Sequence, residues 1–296
     1  MRNRDVGVVI VNYNTKQLLR QCLNTVFASE GVSFRVCVVD NDSADGSAEM
    51  VAAEFPWVHL IANEENLGYP VANNQGLRWM GFGTNSGEGT PRYALLLNAD
   101  TEVPPNGLEK VVAFADNRLE VGIVGPKLVR PDGSLDKACR RSFPTPEVSF
   151  YRLTGLSQLF PRSRRFGRYN LTYLDEEETA EVDSVVGAFM LIRREAIEDV
   201  GLLDESFFMY GEDLDWAYRI KAAGWKVCYY PEVTVLHVKR ASSRKNPRAR
   251  VEFWRSMEIF YKKHYAAQTP KLVHLLILGG LRLQTRLVQW LTTRQP

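Results

Sequence analysis

Two hydrophobic periods alternate along the first half of the chain. Continuous apolar runs fill residues 7–12 (ending VIVN), 35–41 (RVCVVDN), 58–63 (VHLIAN), 93–100 (YALLLNAD) and 122–129 (GIVGPKLV). Runs of this length predict buried strands. Between them apolar residues recur at helical spacing, with Leu18, Leu19, Cys22, Leu23, Val26 and Phe27 on one face. A second helix is expected from a cap at Ser43 or Asp45 through Met50 to Phe55. Pro70 suits the first residue of a third helix, through Trp79, and a fourth follows Pro105. Residues 81–92 (GFGTNSGEGTPR) read as a loop.

Because the strands are continuously apolar and not alternating, they predict a parallel sheet covered on both faces. Ligands of such sheets bind beyond the carboxyl ends of the strands. The first, second and fourth strands end in Asn12, in Asp40-Asn41-Asp42 and in Asn98-Ala99-Asp100. These polar tips are expected to converge on one crevice.

The second half is less regular. Residues 140–180 carry basic-aromatic stretches (RRSFPTP, LFPRSRRFGRYN) and an acidic one (LDEEETAE), and predict loops and short helices. A strand returns over 182–194, with a short helix to Val200. GEDLDWAYRIKAAGW (211–225) predicts a helix that opens in acids and closes at Gly224. Residues 226–238 are extended. KRASSRKNPRAR (239–250) carries six basic residues and no acids.

Composition narrows the classes. The chain has 296 residues, 45% of them hydrophobic, which suits one large domain or one and a half ordinary ones. A net charge of +2 gives no reason to expect nucleic acid. Cys22, Cys37, Cys139 and Cys228 are far apart, which argues against a zinc site or disulfide scaffold and fits a reducing compartment. The N-terminal apolar run is too short for a signal peptide, and no run reaches the roughly 18 residues of a membrane span.

No G-x-G-x-x-G follows the first strand and there is no G-x-x-x-x-G-K-[ST], so nicotinamide-binding and P-loop readings are disfavoured. Asp40 suits a ribose hydroxyl or base N–H, although VVDNDSADGS would also make a plain turn. Asp100 is the candidate ligand for a hard cation beside a diphosphate; its alternative is a turn acid. Glu212, Asp213 and Asp215 sit where the helix dipole favours carboxylates, and one of them could serve as general base toward a sugar hydroxyl. His237 could complete a metal or diphosphate site, with imidazole favouring Mn²⁺ over Mg²⁺. Arg240, Arg244 and Lys245 read either as a solvated loop or as a lid over pyrophosphate.

Taken in order, VVIVNYNTKQLLRQCLNTV, VVDNDSADGS, NEENLGYPVANNQGL (63–77), LLLNADTEV and GAFMLIRREAIEDVGLLDESFFMYGEDLDWAYRIKAAGW resemble family 2 glycosyltransferases of the GT-A fold, in particular the rhamnosyltransferase-like branch. The resemblance covers about residues 6–240. It implies a doubly wound, mostly parallel α/β sheet; beyond the resemblance the chain is expected to end in a C-terminal helical extension. The catalytic domain would span 1–240, with a donor half over about 1–130 and an acceptor half over 131–240; 241–296 would form the basic lid and terminal helices.

By the same resemblance, Asn12 and Asp40 hold nucleobase and ribose with Asn41 close by, and Asn66 and Gly68 line the donor pocket. Asp100 and His237 bind Mn²⁺ or Mg²⁺, Asp213 is the base, and Glu212 lies beside it toward the acceptor. Arg240 is assigned to the donor side not by the resemblance but by the lid reading of the basic run. Asn98 replaces the first acid of the family's D-x-D motif, leaving one fewer charge for the cation. The implied donor is a dTDP- or UDP-sugar, with dTDP-L-rhamnose first. The implied acceptor is a saccharide or polyprenyl-diphosphate-linked sugar in cell-surface polysaccharide synthesis.

A sugar nucleotidyltransferase is disfavoured because NYNTKQ stands where a Gly-rich basic loop is expected. A non-catalytic sugar-binding protein is disfavoured by the retention of Asp40, Asp100, Asp213 and His237. The tail, residues 269–296, has an apolar patch from Leu272 with Lys271, Arg282, Arg286 and Arg294 around it. It predicts either a helix lying in a membrane interface or one docked on the catalytic domain or on a second copy in a homodimer. The expected location is the cytoplasm, peripheral on the cytoplasmic face of the membrane.

Overall fold

A computed structural model describes residues 5–83, 86–238 and 248–293. The expected alternation is present: β1 (Val6–Asn12), α1 (Lys16–Phe27), β2 (Phe34–Asn41), α2 (Ser47–Glu54), β3 (His59–Asn63), α3 (Tyr69–Trp79) and β4 (Tyr93–Asn98). Then follow β5 (Thr101–Glu102), α4 (Gly107–Asp116), β6 (Val121–Val129), α5 (Pro146–Leu153), α6 (Leu156–Leu159), β7 (Ala180–Val182), β8 (Phe189–Arg193), α7 (Arg194–Val200), α8 (Glu212–Ala222) and β9 (Lys226–His237). Two helices close the chain, α9 (Ala249–His264) and α10 (Lys271–Thr293).

The strands form one nine-stranded sheet in the order β3-β2-β1-β4-β8-β6-β9-β5, with β7 also on β9. β1 to β4 are mutually parallel, and β8 enters antiparallel between β4 and β6. Val8, Val9, Ile10, Val38, Val39, Leu95, Leu96 and Leu97 are fully buried, as continuous apolar runs require. Truncating any of the leucines to alanine should cost about 2–5 kcal/mol. The helical layer sits close to the sheet: a Cβ on Gly76 of α3 would lie 2.6 Å from a methyl of Val9.

Three details differ from expectation. β4 stops at Asn98, because Asn98 O accepts from Thr101 Oγ1 at 2.7 Å and the chain turns there. Asp100 therefore lies in a turn and not in the strand. The strand expected over 182–194 is two, β7 and β8, separated by a segment containing Ser184 and Gly187. The second helix starts at Ser47, where Asp45 Oδ1 accepts from Ser47 N at 3.1 Å, whereas Ser43 turns inward to Asn12. All four cysteines are free and buried. Among the described residues no helix is long and apolar enough to cross a membrane.

Candidate active site

Parallel pairing puts the polar strand ends in register. Asn12 pairs with Asp40, Val11 with Asn98, and Asn41 with Asn63. Asn12 and Asp40 are buried together. Asn12 Nδ2 donates to Asp40 Oδ1 at 2.8 Å and to Ser43 Oγ at 3.0 Å, while Ser43 N donates to Asp40 Oδ2 at 2.9 Å. Thr15 Oγ1 donates to Asn12 Oδ1 at 2.6 Å. Each carboxylate oxygen thus carries one protein donor, and its remaining lone pairs can accept from a ligand.

A second knot lies alongside. Asn41 Nδ2 donates to Asn66 Oδ1 at 2.9 Å and to Gly68 O at 3.3 Å, and Asn41 Oδ1 accepts from Asn63 Nδ2 and Leu67 N. Asn66 and Gly68 therefore shape the loop that opens α3. Gly68 has φ +88°, and a Cβ there would lie 2.6 Å from Phe208 O, so only glycine fits. Tyr69 N donates to that same carbonyl at 2.8 Å, tying this loop to the chain that leads into α8.

Tyr69 bridges the two sides of the crevice. Its hydroxyl is 3.1 Å from Asn98 Oδ1 and 2.9 Å from Gly187 O. Burial, then the charges of Glu212 and Asp213, push its pKa up, with a smaller contribution from Asp100. The phenol stays a neutral hydrogen-bonding post between donor-side and acid-side residues.

The acid pair opens α8, after two left-handed residues, Tyr210 (φ 66°) and Gly211 (φ 86°). Asp213 Oδ2 accepts from Arg141 Nη2 at 2.8 Å and Gly187 N at 3.0 Å; Oδ1 accepts from Leu214 N at 2.7 Å. Arg141 Nη2 also reaches Val185 O at 2.7 Å. Burial disfavours the Arg141 charge, but Asp213 outweighs it and raises the pKa. Glu212 is the opposite case. It is buried, and its Oε2 has no hydrogen-bond partner. Burial, reinforced by Asp213, pushes its pKa up to about 8. The third acid, Asp215, is fully buried against Arg219, Lys263 and His264 and braces α8 on α9.

Asp100 and His237 are brought together by the shortest strand. β5 pairs antiparallel with β9, Thr101 opposite His237, and Val238 N donates to Asp100 O at 2.9 Å. His237 Nε2 lies 3.4 Å from Asp100 Oδ1, and Nδ1 lies 3.0 Å from Asp136 Oδ2. Burial would lower the imidazole pKa, but the two carboxylates override it and raise it to about 9. The donor set fits a divalent cation: Asp136 holds Nδ1, leaving Nε2 directed at Asp100. Among the described residues no cluster of three or more ligating side chains surrounds this point, so a cation there would draw further ligands from a diphosphate and water.

The structure thus gathers Asn12, Asp40, Asn41, Asn66, Gly68, Asn98, Asp100, His237, Glu212 and Asp213 around one end of the sheet. Arg240, with the rest of the basic segment 239–247, lies outside the described residues. Sequence reasoning missed Tyr69, Asp136, Arg141 and Gly187. Tyr69 and Gly187 lie inside the motifs NEENLGYPVANNQGL and GAFMLIRREAIEDV without being singled out there, and Arg141 lies in the RRSFP cluster, which also reads as a solvated basic loop.

Comparison with known proteins bears on the family and the fold. Residues 3–252 match the family described as Glycosyltransferase like family 2. An N-acetylglucosaminyl-diphospho-decaprenol L-rhamnosyltransferase of Mycobacterium tuberculosis is 27% identical over 95% of this chain and 92% of its own. The dTDP-rhamnosyl transferase RfbF of Shigella flexneri is 23% identical over 79% of this chain and 69% of its own. Among solved structures, GalNAc-T7 with UDP, GalNAc and Mn²⁺ superposes with a TM-score of 0.59 at 17% identity, over 96% of this chain and 55% of that one. TarS of S. aureus gives 0.57 at 14% identity, over 95% of this chain and 43% of that one. The chain spans about half the length of these two structures, which share its fold. The chain belongs to glycosyltransferase family 2, and its fold is GT-A. It is a glycosyltransferase, and both of these curated relatives are rhamnosyltransferases.

Proposed function

We propose that the protein is an inverting enzyme that moves L-rhamnose from dTDP-L-rhamnose to a polyprenyl-diphosphate-linked sugar at the cytoplasmic membrane face. The observation that carries the inverting chemistry is the buried acid pair at the start of α8, facing the strand tips across Tyr69 and Gly187. The rhamnosyl donor and lipid-linked acceptor are drawn from the two rhamnosyltransferase relatives. A UDP-sugar is the second donor, because Asn12 and Asp40 would hold thymine and uracil alike.

In this reading Asp40 and Asn12 hold the nucleoside, and Asn98 and Tyr69 stand beside the diphosphate. Asp100 and His237 hold Mn²⁺ or Mg²⁺, which when bound supplies positive charge to the departing diphosphate. Asp213, fixed by Arg141 and Gly187 N, takes the proton of the acceptor hydroxyl. That oxygen bonds to the anomeric carbon from the face opposite the nucleotide, the bond to the diphosphate oxygen breaks, and one displacement inverts the centre. Glu212 contacts the acceptor. One observation favours exchanging these two roles: Glu212 has the free oxygen, and a pKa near working pH suits a general base.

Thermal shifts with dTDP, UDP, GDP and ADP, with and without Mn²⁺, test the donor site. Metal-dependent stabilisation by dTDP or UDP that disappears in Asp100→Ala is expected; no shift with any nucleotide would refute it. For the base, Asp213→Asn should lower transfer by about 10²–10⁴. If Glu212→Gln does so while Asp213→Asn retains transfer, the roles are exchanged. The tail is the proposed membrane contact: α10 exposes Leu272, Leu275, Leu276, Leu287 and Trp290, and residues 271–296 contain no acid. Equal flotation with and without residues 269–296 would refute that.

A further inference from the structure

A second exposed apolar surface lies far from α10 in sequence and is unused by the site. α5 and α6 present Phe150 (57% exposed), Leu153 (55%), Leu159 (69%) and Phe160 (47%) to solvent. Four large apolar side chains within the eleven residues 150–160 are more than scattered exposure explains. The surface is braced from beneath: Tyr151 packs edge-on against Phe166 at 4.9 Å, and Phe160 lies 5.5 Å from the same ring.

Its charge is one-sided. Residues 148–174 contain Arg152, Arg162, Arg164, Arg165 and Arg168 and no acid. All five arginines are exposed. Glu147 at the border is engaged by Arg165, and the following Glu176 and Glu177 turn onto Lys127. Leucine and phenylalanine tips ringed by arginine complement an anionic headgroup layer over hydrocarbon.

The surface is also wired to the acid pair. Tyr169, at its inner end, is buried, and its carbonyl accepts from Ser142 N at 2.8 Å. The preceding residue, Arg141, grips Asp213. Phe143 stacks on Tyr218 of α8 at 4.9 Å, and Arg168 is in electrostatic reach of Tyr265, just before α10.

We propose that the α5–α6 surface docks on the anionic face of a bilayer and, with α10, seats the acid pair at the membrane where a lipid-linked acceptor presents its sugar. Its purpose rests on the lipid-acceptor reading above, but its test uses neither donor nor acceptor, so failure of one leaves the other standing. The native cysteines are buried, so full-length Leu159→Cys can be labelled selectively with an environment-sensitive fluorophore. The expected result is a blue shift and gain in emission on vesicles of equimolar phosphatidylglycerol and phosphatidylcholine, and little change on phosphatidylcholine alone. Adding Arg162→Ser and Arg164→Ser should weaken partitioning roughly 25-fold, about fivefold per basic residue, with the melting temperature unchanged. Unchanged emission on vesicles that still float the protein would mean that α10 docks alone, and would overturn the proposal. So would an emission change that follows protein concentration without vesicles, which would mean a second copy covers the surface.

Discussion

Replacing Glu212 by glutamine should stabilise the protein, and by an amount that grows with pH. The buried carboxyl keeps its proton to about pH 8, against 4.5 for an ordinary glutamate. The native state therefore holds a proton that the unfolded chain gives up. The contribution is fully present below pH 4.5 and is lost as pH rises toward and through about 8. Each pH unit in that window costs the wild type about 1.4 kcal/mol. At pH 7 the penalty is on the order of 3 kcal/mol, and at pH 5 it is below about 1 kcal/mol. Glutamine has the same shape and no proton to lose. At roughly 2 °C per kcal/mol for a chain of this size, Glu212→Gln should melt about 5 °C higher than wild type at pH 7. At pH 5 the two should nearly coincide. Scanning calorimetry or dye-based melts at pH 5, 6, 7 and 8 would measure this. A melting difference that does not change with pH would refute the reasoning, because it would mean that Glu212 ionises alike in both states.

Other perturbations have equally definite outcomes. Asp136→Ala removes the acceptor that orients His237 and should weaken Mn²⁺ binding in the presence of dTDP by about 10–100-fold, read by calorimetry; unchanged affinity would separate Asp136 from the cation. Gly68→Ala drives a Cβ into the Phe208 carbonyl at a left-handed position and should cost at least about 1–3 kcal/mol, so an unchanged melting temperature would contradict the described loop. Asp215→Ala removes the buried carboxylate shared by Arg219, Lys263 and His264 and should cost about 3–5 kcal/mol. The wild-type Asp215 pKa is lowered to about 2, despite burial, by hydrogen bonds to His264 and Lys263 and by Arg219. Its stabilisation is therefore present above the ordinary value of 3.8 and lost as pH falls through about 2, a dependence the alanine variant should lack.

What the sequence made legible follows from where physics acts locally. Buried parallel strands must be continuously apolar, so β1, β2, β4 and β6 could be read directly, as could β3, although it lies half-buried at the sheet edge, and the residues that end such strands could be assigned to one crevice from their strand-end positions. Asn12, Asp40 and Asn98 needed nothing more. Asp100 and His237 needed the two-residue strand β5, too short to carry a period. Arg141, Asp136 and Gly187 lie in irregular segments, where tertiary packing sets side-chain direction and no periodicity encodes it. The split of 182–194 had a local cue, Ser184 and Gly187 inside an otherwise apolar run, but a long strand accommodates the same residues.

The order of the sheet bears on how such enzymes can be recombined. β6 lies before residue 130, yet among the described residues its strand partners are β8 and β9 alone. Cutting at residue 130 to exchange donor and acceptor modules between relatives would strand β6 without neighbours and bare the edge of β4. A junction in the link between α4 and β6, residues 117–120, leaves every pairing among β1 to β4 intact, and the new seam is then the β4–β8 and β5–β9 ladders. The proposed cation site straddles that seam, with Asp100 on one side and His237 and Asp136 on the other. A hybrid joined there would bind metal only if its two modules dock in native register, so metal affinity would serve as a built-in report of correct assembly.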